Sequence, residues 1–136
     1  MNETLKGKWA YRSYYHDPIV VNNNQIEGNP QLATPWTPPG ELQADTDGEG
    51  NVTATLTFTG VPTTLKVTGR VIPAAGKLPA SVELTGEGGS AIYQIKGFFI
   101  PGSTHVVGTT MSSANDLARQ PVGTLGPFVL FPLDTV

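Results

Sequence analysis

The chain has no cysteine in its 136 residues. That excludes a disulfide framework, a thiolate metal site and a cysteine nucleophile. Charge is scarce: 14% of residues are Asp, Glu, Lys or Arg, against about a quarter in ordinary soluble domains. The polar surface must therefore be built mostly from Thr, Ser, Asn, Gln and Gly. Eight Lys and Arg against eleven Asp and Glu leave a net charge of −3. The basic residues form no stripe, so nucleic acid is not expected as a partner. Two histidines, His16 and His105, stand far apart in the sequence. A metal site needs three or four ligands, so no metal and no cofactor are expected. Asp45-x-Asp47-Gly48-x-Gly50 opens like a calcium loop but lacks the later oxygen ligands and the closing glutamate, and reads as a hairpin with acidic flanks. No nucleophile elbow is present. No apolar run reaches membrane-spanning length, and no apolar signal core follows Met1. The expectation is a cytoplasmic protein with no membrane partner.

Helical periodicity is also missing, and 16 glycines and 12 prolines interrupt the chain too often for long helices. What is present is alternation, with Thr, Val, Ile and aromatic residues. It predicts strands over about 6–15, 41–46, 51–59, 64–72, 80–85, 91–100, 104–112 and 128–133. In the first, Trp9, Tyr11, Ser13 and Tyr15 share one face. In the third, Val52, Ala54, Leu56 and Phe58 point inward and four threonines outward. Asp47-Gly48 and Gly86-Glu87-Gly88-Gly89 read as tight turns. Residues 16–40 form a long loop with five prolines and Trp36, with a short strand at 19–21. A loop of that length is often a lid or a binding loop. A second connection, 113–124, has room for one helical turn at 115–119.

Eight strands with short neighbour-to-neighbour turns predict a single all-β domain over 1–136. Its architecture is an antiparallel up-and-down barrel, with an open sandwich as the competitor. Leu5-Lys6-Gly7-Lys8-Trp9 places a Gly-x-Trp step at the head of the first strand. That step resembles the first strand of calycin barrels, of avidin and streptavidin in particular. Ser112-Ser113-Ala114-Asn115-Asp116 is similar to the avidin segment between the last two strands. The resemblance implies a barrel holding one small molecule. The biotin contacts do not carry over. Tyr11 and Tyr15 stand at the family's first-strand polar positions, and Leu56 and Phe58 stand where it places Tyr and Thr. Gly108 or Thr109 occupies the place of a tryptophan, and Phe128 that of an asparagine. The first strand is similar to that of lipocalins as well, although those usually carry a C-terminal helix that this sequence does not show.

The expected activity is binding of a small, largely apolar molecule by Trp9, Tyr11, Tyr15, Trp36, Leu56, Phe58, Tyr93 and Phe99. An alternative is a cyclase- or isomerase-type enzyme acting on an apolar natural product. Tyr11, Tyr15 or His16 would then polarise a carbonyl or move a proton. A third reading is a structural or interaction protein with a filled barrel, in which the tyrosines simply complete the core. Arg119, with Asp116, is placed near a cavity mouth, while Arg12 and Arg70 fall on outward faces. The strand at 91–100 is apolar on both faces, which raises the expectation of a homo-oligomer.

Overall fold

A computed structural model gives the structure of the protein, and it describes residues 4–14, 20–22, 25–27, 35–116 and 122–133. Ten strands occur among them: β1 (Gly7–Ser13), β2 (Val20–Asn22), β3 (Gln25–Glu27), β4 (Gly40–Thr46), β5 (Asn51–Phe58), β6 (Leu65–Ile72), β7 (Ser81–Gly88), β8 (Ala91–Phe99), β9 (Val106–Ala114) and β10 (Leu125–Pro132). Eight of them close a barrel in the order β1-β10-β9-β8-β7-β6-β5-β4, while β2 and β3 form a separate two-stranded sheet. Every barrel pair is antiparallel. The predicted fold class is therefore observed. Closure through β1, which pairs with both β4 and β10, removes the exposed edges an open sandwich would leave.

The alternation in sequence becomes the inside and outside of the wall. Val52, Ala54, Leu56 and Phe58 of β5 are buried and the threonines between them exposed. Each large apolar side chain so buried contributes roughly 1.5–3 kcal/mol. One end of the barrel is plugged by the segment before β1. Leu5 is fully buried, its N–H donates to Thr46 Oγ1 at 3.0 Å, and that hydroxyl donates back to Leu5 O at 2.7 Å. Trp9 lies just above, its indole N–H on Lys6 O at 3.0 Å. On the outer wall Phe98 and Val107 sit opposite each other, 52% and 37% exposed, with nothing of this chain covering them among the described residues.

Four boundaries differ from the sequence reading. The turn expected at Gly86–Gly89 lies at Gly89 and Ser90, and β7 runs on through Gly88 to pair with Ala91. Gly88 serves close packing: a Cβ there would come within 2.5 Å of Thr64 O. Gly89, at φ 59°, supplies the turn itself. The first strand ends at Ser13, and Tyr14 beyond it makes an isolated bridge to Pro35. The seventh predicted strand is shifted by two residues, to Val106–Ala114. The last begins at Leu125, before a proline that reads as a strand breaker. Pro127 is tolerated there, and its carbonyl accepts the Tyr14 N–H at 3.0 Å. The short strand expected at 19–21 appears as β2. The helical turn expected at 115–119 lies largely outside the described residues.

Candidate functional site

Both long connections leave from the end opposite the Leu5 plug. Ser13 ends β1 there, Gly40 begins β4, β9 runs out at Ala114 and β10 starts at Leu125. Residues 35–39 return across this end as a cap. Trp36 N–H donates to Ser13 O at 2.9 Å, and the hydroxyls of Ser13 and Thr37 meet at 3.3 Å. The cap thus extends the ladder beyond β1 and points the Trp36 side chain into the barrel end, where it is 4% exposed. Gly126 on β10 makes this possible. A Cβ at that position would lie 2.0 Å from Tyr14 O and 3.2 Å from Cε3 of Trp36. No side chain can stand there without lifting the cap.

Beneath the cap lies a void of about 10 Å³, lined by Tyr11, Ser13, Trp36, Thr37, Leu56, Phe58, Leu65, Tyr93, Ile95 and Thr110. That is room for about one water molecule. Tyr11 stacks on Phe128 with centroids 5.8 Å apart and meets the edge of Phe58 at 6.1 Å.

The polar part of the site is built around Asp116, two residues past β9 and buried. Asn115 adopts φ 38° just before it, a left-handed turn that asparagine tolerates. Asp116 Oδ2 accepts the Trp36 indole N–H at 2.8 Å, and Oδ1 accepts the Tyr93 hydroxyl. The Trp36 and Tyr93 rings meet edge to face at 6.1 Å and 74°. Two hydroxyls on the inner face of β9, Thr110 Oγ1 and Ser112 Oγ, are buried and have no hydrogen-bond partner among the described residues. Burial pushes the Tyr11 hydroxyl up to about 12. The nearby Thr110 and Ser13 hydroxyls offset part of that rise, and Asp116 adds to it. The Thr110 oxygen lies near Tyr11 without reaching hydrogen-bond geometry.

Of the expected binding residues, Tyr11, Trp36, Leu56, Phe58 and Tyr93 converge on this void. Trp9 and Phe99 are buried but belong to the half of the barrel nearer the Leu5 plug and do not line it. Tyr15, His16 and Arg119 lie outside the described residues. Arg12 is committed to structure, its guanidinium on the Tyr11 and Gly40 carbonyls at 2.9 and 3.1 Å and over the Phe131 ring. Asp47 is likewise used by its own hairpin. Its carboxylate accepts the backbone N–H groups of Glu49 and Asn51 and the Asn51 side-chain amide, and the Asn51 side chain leads in holding its pKa below the usual value.

Sequence reasoning missed Thr110, Ser112 and Gly126. On β9 the inward positions are Val106, Gly108, Thr110 and Ser112, while Val107 and Met111 face out. The hydropathy alternation is inverted, so the strand's phase is not legible from it. The register with β8, Ile95 opposite Thr110 and Tyr93 opposite Ser112, is what sets it. No protein-family model, curated protein or solved structure matches this chain. The closed eight-stranded antiparallel barrel is what it shares with calycins.

Proposed function

We propose that this protein binds a small, largely apolar molecule at the capped end of the barrel, in the manner of a calycin with avidin-like strand order. The observation that carries this reading is the Thr110 hydroxyl, 1% exposed and with no hydrogen-bond partner among the described residues, on the wall of a largely apolar void. A buried hydroxyl without a partner costs about 1–3 kcal/mol, and a ligand group accepting or donating there would recover it. The void alone is far below the roughly 300 Å³ of ordinary ligand pockets. Binding therefore requires the Trp36 ring to vacate its place, and the ligand is small. In the cyclase or isomerase alternative the Tyr11 hydroxyl, pushed up to about 12 by burial, would serve as a hydrogen-bond donor to a carbonyl and not as a base.

The test is native mass spectrometry of the purified protein, with Thr110→Val as control. Val keeps the shape of the wall and removes the hydroxyl, so the variant folds but retains less ligand. A bare wild-type mass, with no melting shift from a panel of one- and two-ring aromatics, would refute the reading. That outcome favours the second reading, a filled barrel serving as a structural or interaction module. The size of the void with Trp36 seated is the observation on its side.

A further inference from the structure

The side chain that fills the capped end also describes what would replace it. Most of the lining comes from barrel strands: Tyr11 and Ser13 from β1, Leu56 and Phe58 from β5, Tyr93 and Ile95 from β8, Thr110 from β9. Trp36 and Thr37 come from the cap. The Trp36 ring is therefore a large lining group carried by the cap and not by a barrel strand. Its backbone N–H can stay on Ser13 O while the side chain turns out. What it leaves behind is a flat slot beside the Tyr93 ring, with an acceptor, Asp116 Oδ2, at one margin. The Tyr93 hydroxyl on Oδ1 holds that carboxylate in place independently of Trp36.

Resting on the ligand-binding reading above, we infer that the ligand class is a compact planar molecule carrying one N–H or O–H donor, which takes the place of the Trp36 indole on Asp116. An apolar ring without a donor would fill the slot but leave Oδ2 short of the hydrogen bond it makes in the closed protein. Buried acceptors discriminate strongly against analogues that lack the matching donor. The indole of Trp36 acts as an internal competitor, so its removal raises the apparent affinity of the site by the reciprocal of its open fraction.

The probes are indole and benzofuran, which share shape and differ in the N–H. Each is titrated into the full chain, wild type and Trp36→Ala, by calorimetry. The Trp36 indole N–H resonance of the wild type is followed in parallel. Trp36→Ala should bind indole at least a hundredfold tighter than wild type, and benzofuran at least tenfold more weakly than indole. In the wild type, indole should displace the Trp36 N–H resonance saturably. Benzofuran binding as tightly as indole overturns the donor requirement and leaves the cavity reading standing. Binding of neither probe to folded Trp36→Ala overturns both. If that variant does not fold, the wild-type titration decides: a Trp36 resonance unmoved at saturating indole overturns the replacement.

Discussion

Trp36 couples the cap to the barrel, and replacing it separates the contributions that hold this end shut. The ring is almost wholly buried, it meets the Tyr93 ring edge to face and its N–H is on Asp116 Oδ2 at 2.8 Å. Trp36→Ala removes all three and should destabilise the protein by about 3–5 kcal/mol, the range for large aromatic truncations. For a domain of this length that corresponds to a melting point lower by roughly 10–20 °C. Trp36→Phe keeps most of the apolar contact and removes the donor to a charged acceptor, a loss of about 1.5–3 kcal/mol. Urea and thermal melts followed by far-UV circular dichroism measure both. The double variant Trp36→Phe with Asp116→Ala should fall short of the sum of its parts by about 0.5–3 kcal/mol, because the two share one interaction. A Trp36→Ala protein melting within about 3 °C of wild type would show that the cap rests on the barrel without sealing it. The same free energy bounds what a ligand must offset to expel the ring: about 3 kcal/mol already weakens apparent affinity by more than a hundredfold.

Other perturbations probe neighbouring parts of the site. Gly126→Ala should cost about 1–3 kcal/mol through overpacking and red-shift the tryptophan emission as the cap lifts, since the added carbon would meet Tyr14 O at 2.0 Å; unchanged emission and stability would count against that contact. Thr110→Val should leave stability unchanged or raise it by up to about 1 kcal/mol, because it removes an unpartnered buried hydroxyl; a clear loss would mean that the hydroxyl is satisfied, for instance by water. Tyr11 has its pKa raised by burial from 10.0 to about 12, so the unfolded chain gives up this proton first as pH rises. Its contribution is intact below pH 10 and is lost between about pH 10 and 12, at roughly 1.4 kcal/mol per pH unit. Denaturant melts of Tyr11→Phe across that window should show a shallower decline than wild type, and identical slopes would refute the assignment.

The sequence by itself determined the wall. Period-2 alternation in β5 specified which side chains face in, because a one-residue slip would expose the whole set. Short turns ordered the strands as neighbours, and Leu56 and Phe58 could be placed inward before any coordinates, whereas β8 is apolar on both faces and its sequence leaves the side of Tyr93 open. Phase failed on β9, where small polar residues face the interior and larger apolar ones face out. Boundaries failed at Gly86–Gly88 and at Pro127, where residues that usually punctuate a chain continue a strand. Tertiary structure alone decided the site. It brought Trp36 against Asp116, 80 residues away in sequence, and set Gly126 beneath Tyr14. It also left the Thr110 hydroxyl without a hydrogen-bond partner among the described residues. Alternation is a local consequence of the pleat, whereas the meeting of two connections over one barrel end follows only from closing the sheet.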